Sequence, residues 1–335
     1  MQEARFYRKL SDGRLHCYLC PRNCKLKPGQ NGFCFVRQNI DGKLYSLAYA
    51  RPYAVNVDPI EKKPLFHVLP GTRALSIGTA GCNMACKYCQ NWDLSKAKID
   101  NDRAMDISPV RLVQMALHYQ SQSIAYTYNE PTVFAEYAMD TAEISRAQGL
   151  KNVMVTNGYI TTEVIPEVYR HMDAANVDLK AFTSKFYENL TLSRLEPVLA
   201  ALKKLHEIGI WIEITNLIIP GYNDDLQEII EMCDWIKTEL DPFTPVHFTA
   251  FHPSYKLTNV PSTRPGTLLN IRETALKRGL HYVYVGNITN EPASSTYCHN
   301  CQALLIRRNW YQTEVVGLRD GKCQKCNTTI PGIFS

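Results

Sequence analysis

The sequence predicts an α/β fold, a partial, TIM-like (β/α)6 barrel flanked by two small cysteine-rich modules. Three observations carry that prediction. From Ala74 to Gly286, apolar strand-like runs alternate with stretches of helical length, the order that builds a parallel sheet with right-handed crossovers. Leu44 to Leu69 is punctuated by Pro52, Pro59 and Pro64, with Pro70 just beyond, and no helix survives such spacing. Eleven of the twelve cysteines fall into three short-spaced clusters, a pattern of metal ligands in a reducing compartment rather than of disulfides. The implied domains are an N-terminal metal-binding segment and connector over 1–70, the barrel over 71–291 and a C-terminal module over 292–335.

Length and composition agree with this. A chain of 335 residues accommodates one large domain with small appendages, and 45% apolar with 21% charged residues excludes a disordered chain. A formal net charge of +5 is slight for this length and there is no long basic run, so charge alone makes a weak case for nucleic acid. Met1 to Lys9 lacks the apolar core of a secretory signal, and no stretch offers the roughly 18 uninterrupted apolar residues of a membrane span. A cytoplasmic location is expected, with no membrane partner.

In chain order, the first cluster is Cys17, Cys20, Cys24 and Cys34, spaced C-x2-C-x3-C-x9-C, with Pro28, Gly29 and Gly32 marking turns that fold the segment back on itself. Four soft ligands suit either zinc or an iron–sulfur cluster. Both a structural staple and an auxiliary redox centre remain open.

The barrel strands are expected at Ala74 to Thr79, Ser123 to Tyr128, Asn152 to Thr156, Asn176 to Lys180, Trp211 to Ile219, Val246 to Phe251 and His281 to Gly286. Ser108-Pro109 opens the first helix as N-cap and N1. Further helices are expected over Thr132 to Gly149, Thr161 to His171, Leu195 to Gly209 and Asp224 to Glu239, the last with Cys233 as a buried small hydrophobe. Barrel sites collect at the C-terminal ends of strands. Those ends carry Glu130, Asn157, Asp178, Lys180, His252 and Asn287 in register, which points to one binding site.

The loop after the first strand, Gly81 to Asn91, holds Cys82, Cys86 and Cys89 at C-x3-C-x2-C. Closed zinc and electron-transfer 4Fe-4S sites take four protein ligands. Three thiolates therefore leave one iron of a cluster open, unless a distant Cys233 or a histidine completes the set. The spacing, with Tyr88 before the third cysteine, resembles the radical S-adenosylmethionine (SAM) signature. That resemblance implies a cluster whose open iron chelates SAM, and reductive cleavage to a 5'-deoxyadenosyl radical that abstracts hydrogen.

The T-N-G, D-L-K, I-P-G-Y-N-D-D and F-H-P-S-Y-K stretches and Asn91 resemble the glycyl-radical-enzyme activases, relatives of the pyruvate formate-lyase activating enzyme, over Leu75 to Gly286. By this resemblance Tyr88 packs near the adenine and Glu130 takes the SAM ammonium. Asp178 and Lys180 serve its carboxylate end, directly or through a monovalent cation, and His252 also contacts SAM, with Asn157 and Asn287 in the same binding set. One departure is that the family's Gly-Gly-Glu is here Tyr128-Asn129-Glu130.

The tail places Cys298, Cys301, Cys323 and Cys326 at C-x2-C-x21-C-x2-C around a strand-like stretch, which reads as a zinc ribbon. The three cysteine clusters together resemble the AmmeMemoRadiSam-system radical SAM enzymes, which implies Memo-like and AMMECR-like partners. The resulting expectation is an enzyme using SAM, 4Fe-4S and zinc, with an external flavodoxin- or ferredoxin-like electron donor and a macromolecular, chiefly protein, substrate. The alternatives are radical chemistry on RNA or a small molecule, and a non-catalytic Fe-S/Zn scaffold.

Overall fold

Runs rich in Val, Ile and Ala form strands because β-branched side chains pack well on a pleated surface covered on both faces. The computed structural model, which describes all residues from Met1 to Ser335, contains an eight-stranded sheet. Its strands are β1 (Ala54–Pro59), β2 (Arg73–Gly78), β3 (Ser123–Tyr126), β4 (Lys151–Thr156), β5 (Ala174–Asp178), β6 (Trp211–Ile218), β7 (Val246–Ala250) and β8 (Val283–Gly286). They lie side by side in chain order. β2 to β8 are parallel, with Leu75 opposite Ile124 and Val153 opposite Ala174, while β1 is antiparallel to β2. Six crossovers thus join seven parallel strands, and the edge strands β1 and β8 are not hydrogen-bonded to each other.

Two elements differ from the sequence expectation. The proline-punctuated connector supplies β1, because Pro59 ends that strand and Pro52 precedes it, so no ladder hydrogen bond is lost. The sheet therefore begins inside the segment assigned to 1–70. The third crossover, expected to carry a helix over Thr161 to His171, holds only a 3-10 turn at Thr162–Val164 and one α-turn at Ile165–Val168. Pro166 has no N–H to continue a ladder and belongs in a first turn, which sets the start there. The other crossovers carry α1 (Pro109–His118), α2 (Ala135–Ala147), α3 (Glu196–Glu207), α4 (Leu226–Glu239) and α5 (Pro265–Lys277). α1 is capped by Ser108, whose hydroxyl accepts from the Arg111 N–H, and α4 by Asp225, whose carboxylate accepts from the N–H groups of Gln227 and Glu228. No helix is long and apolar enough to cross a membrane.

Ile60, Leu65 and Val68 pack on Ala74, Ala125, Val153 and Ala174 at the N-terminal ends of β2 to β5. The connector closes that end of the sheet with apolar contacts and leaves the C-terminal ends for the site. Both cysteine-rich modules are anchored by buried arginines. Arg37 makes a bidentate pair with Glu136 on α2, 2.9 Å at each contact. Arg308, from the hairpin of β9 (Leu304–Asn309) and β10 (Gln312–Val315), donates to the Phe66 carbonyl at 2.6 Å and to Thr296 at 2.7 Å, and lies 3.6 Å from Glu61. A guanidinium this far from water holds its position only with such partners.

Candidate active site

The C-terminal strand ends converge on a cavity of about 490 Å³. Cys82, Cys86, Tyr88 and Cys89 reach it from the loop after β2, Asn157 from the end of β4, Asp178 and Lys180 from β5, Thr215 from β6, Thr249 from β7 and Asn287 from after β8. The cysteine loop is held from several sides. Asn129 donates to the carbonyls of Gly81 and Ala80 and to the Thr79 hydroxyl, while its own oxygen accepts from the Thr79 N–H. The Ala85 and Lys87 N–H groups donate to Thr191 and Leu190, and Lys96 donates to the Met84 carbonyl. Gly81 itself turns through φ +87°, where an L side chain would be strained.

The three sulfurs are free thiols, and burial pushes those of Cys82 and Cys86 above the ordinary range. The Met84 N–H and the Asn157 amide are both directed at the Cys82 sulfur, at 3.4 and 3.7 Å. Three soft donors around one cavity, with N–H groups aimed at sulfur, fit a metal-bound thiolate set whose outer partners tune and orient it.

Of the remaining residues expected from sequence, Tyr88, Asn157, Asp178, Lys180 and Asn287 line the cavity. Tyr88 is buried against Phe186, ring centroids 5.9 Å apart. Lys180 donates to Asp178 at 2.9 Å. Burial opposes the Lys180 charge, but Asp178 together with the Tyr88 and Cys86 side chains outweighs that cost and holds the ammonium well above its usual pKa. Asn287 is anchored through the Ala250 carbonyl at 3.0 Å.

Two expected residues stand elsewhere. Glu130 is fully buried beneath the cavity wall, one oxygen accepting from the Thr132 N–H and the hydroxyls of Thr132 and Thr156, the other from the Asn157 N–H. Its carboxylate is enclosed by this chain's own donors and supports the Asn157 backbone. His252 is exposed, paired with the Ser262 hydroxyl at 3.1 Å, and is not part of the cavity wall. Ser-Tyr after Pro253 turns the chain so that Ser254 faces the Cys89 carbonyl instead.

Residues outside the expected binding set also line the cavity. Lys63 arrives from the connector, donating to Asp58 at 2.7 Å, and its burial draws its pKa down to about 8 against the pull of that partner. Tyr128, at φ +70°, is fixed by donating to Asp58 at 2.5 Å. Tyr311 reaches the cavity from the tip of the β9–β10 hairpin. The Glu-Lys-Lys-Pro run in an otherwise apolar connector was the one signal for Lys63. Tyr311 had none.

The C-terminal cysteines gather all four sulfurs within 4.8 Å of one another, with Cys298–Cys326 and Cys301–Cys323 at 3.6 Å. Four thiols at this spacing fit a tetrahedral ion. The Thr328 hydroxyl and N–H draw the Cys326 thiol down to about 6. His299 stays outside the set, bonded to the Tyr282 hydroxyl at 2.7 Å. Cys233 is buried on the apolar face of α4 with Ile229, Met232 and Ile236.

Residues 76–236 match the Radical SAM superfamily. The chain is 42% identical over 332 residues to an uncharacterized protein of Methanocaldococcus jannaschii, MJ0808, covering 98% of this chain and 99% of that one. It is 25% identical over 223 residues to the pyruvate formate-lyase 1-activating enzyme of Escherichia coli strain K12, covering 61% and 88%. Streptococcus suis SuiB bound to precursor peptide SuiA shares the fold, with a TM-score of 0.50 at 14% identity over 69% of this chain and 52% of that one. With a three-cysteine loop after the first parallel strand and a polar cavity over the strand ends, the chain belongs to the radical SAM superfamily, with homology to the pyruvate formate-lyase activating enzymes.

Proposed function

We propose that this protein is a radical SAM enzyme acting on another protein, as an activase or a protein-modifying enzyme. In this reading Cys82, Cys86 and Cys89 hold a 4Fe-4S cluster, with the Asn157 amide directed at the Cys82 sulfur. Bound there, the cluster supplies the electron that cleaves the SAM sulfonium, releasing methionine and a 5'-deoxyadenosyl radical that takes hydrogen from the substrate. Lys180 and Asp178 present opposite charges 2.9 Å apart, a match for the carboxylate and ammonium of an amino-acid group. The buried Tyr88 ring offers an apolar face for the adenine, and Thr215, Thr249 and Asn287 offer polar groups to the ribose. In this reading the C-terminal cysteines hold zinc as a structural ion, and the short-spaced cysteine clusters, a metal-ligand pattern of reducing compartments, support a cytoplasmic location.

The observation that supports a protein substrate is the aromatic rim of the cavity. Tyr311 overhangs it from the C-terminal hairpin with exposed Trp310 beside it, and exposed Trp92, one residue beyond the cavity-lining Asn91, stacks on Tyr255 at 5.4 Å. Exposed Trp and Tyr around a pocket are the residue types that anchor macromolecular contacts. The resemblance to AmmeMemoRadiSam-system enzymes makes Memo-like and AMMECR-like proteins the first candidates, with a flavodoxin- or ferredoxin-like protein as donor. The test is to mix reduced enzyme, SAM and a candidate partner expressed in deuterated medium. Deuterium in the 5'-deoxyadenosine marks the true substrate. Label arising only from deuterated RNA or small metabolites would overturn the protein assignment.

A further inference from the structure

The chain carries two four-cysteine sets, and they differ in a way that discriminates what each holds. Around the C-terminal site the sulfurs close to 3.6 Å, the separation of thiolates sharing one ion. The sulfurs of Cys17, Cys20, Cys24 and Cys34 do not gather within 4.8 Å in the same way; they line a common cavity instead. In a 4Fe-4S cubane each thiolate binds a different iron, so the four stand further apart around a central body. Arg37 lines this cavity while paired with Glu136, and Arg22, which donates only to backbone carbonyls, adds a positive charge that suits a cluster of thiolates and sulfides.

The cavity backs directly onto the radical SAM loop. Asn83, the neighbour of Cys82, lines it, and Arg22 donates to the Asn83 carbonyl at 2.8 Å. A Cβ at Gly81 would collide with the Cys34 carbonyl oxygen, so the two cysteine segments are in backbone contact.

We propose that Cys17, Cys20, Cys24 and Cys34 hold a second 4Fe-4S cluster, which is the electron entry point to the cluster of Cys82, Cys86 and Cys89. The relay half rests on the radical SAM reading above. One electron leaves a low-potential flavin or iron–sulfur protein, reduces the N-terminal cluster, and passes to the second cluster with no bond made or broken.

The experiment uses full-length protein reconstituted anaerobically, in wild type and in Cys82→Ala/Cys86→Ala/Cys89→Ala. Wild type should hold about eight iron and one zinc, and the variant about four iron, with an electron paramagnetic resonance signal that SAM does not alter. A variant with no iron and two zinc overturns the proposal, and one with about two iron overturns the cubane. A variant that keeps all the wild-type iron overturns the radical SAM reading instead. Since that variant could misfold, wild type is also read directly. Two reduced cluster signals, one of them SAM-responsive, are expected, and a single SAM-responsive signal refutes the second cluster. For the relay, Cys24→Ala should slow reduction of the SAM-responsive cluster by a flavodoxin at least tenfold, but not by titanium(III) citrate. Equal slowing with both reductants overturns the relay.

Discussion

Replacing Glu130 by Gln asks whether this carboxylate is a ligand of SAM or a support for the loop that faces it. One oxygen accepts from the Thr132 N–H at 2.9 Å and from the hydroxyls of Thr132 and Thr156 at 2.6 and 2.7 Å; the other accepts from the Asn157 N–H at 2.8 Å. An amide keeps one acceptor and turns the other into a donor. With three donors on one side, the amide nitrogen should face Asn157, leaving two N–H groups opposed in a fully buried site. An unsatisfied buried donor costs about 1–3 kcal/mol, so the loss of stability should be about 2 kcal/mol. Equilibrium urea unfolding measures it as a lower midpoint at unchanged slope. SAM affinity should fall less than about tenfold, because Asn157 is displaced but Asp178 and Lys180 are untouched; this is the affinity equivalent of about 1.4 kcal/mol. Stability within about 0.5 kcal/mol of wild type, a surface-like response, together with a hundredfold loss of SAM binding would refute the supporting role.

Three further outcomes are expected. Arg37→Met leaves Glu136 charged, buried and without its guanidinium partner, and should cost about 3–5 kcal/mol in chemical unfolding, much of it recovered by adding Glu136→Gln. His67 lies enclosed between the Pro331 carbonyl and the Tyr284 hydroxyl, and burial holds its pKa down at about 4. The unfolded chain, titrating near 6.5, takes the proton that the folded one refuses. This contribution is therefore fully present above pH 6.5 and declines to a loss of about 3 kcal/mol at pH 4, visible in thermal melts and flattened in His67→Gln. Asp178→Asn removes one of the two charges offered to SAM and should weaken binding about tenfold or more by titration calorimetry, with iron content unchanged.

The apolar runs at Ala74, Ser123, Trp211 and Val246 announced their strands because each is buried on both faces and needs no partner-specific signal. The polar residues just beyond them were equally readable, since a parallel sheet puts every such end on one side. What the sequence could not reveal was direction. Glu130 is at a strand end, but three hydroxyl and N–H donors from Thr132 and Thr156, distant or adjacent in chain order, turn its carboxylate inward. Lys63 and Tyr311 enter from segments that sequence spacing assigns to other modules, and only the docking of connector and hairpin against the sheet brings them to the cavity. β1 was hidden because its prolines announce broken helix while sitting where a strand tolerates them.

The central claim is that the three-cysteine loop supports reductive cleavage of SAM. Anaerobically reconstituted protein, reduced with titanium(III) citrate and given SAM alone, should form 5'-deoxyadenosine and methionine in equal amounts, slowly and without substrate. Cys82→Ala/Cys86→Ala/Cys89→Ala should form neither. A fully reduced, SAM-bound wild type that makes no 5'-deoxyadenosine, or a triple variant that makes as much as wild type, would contradict it.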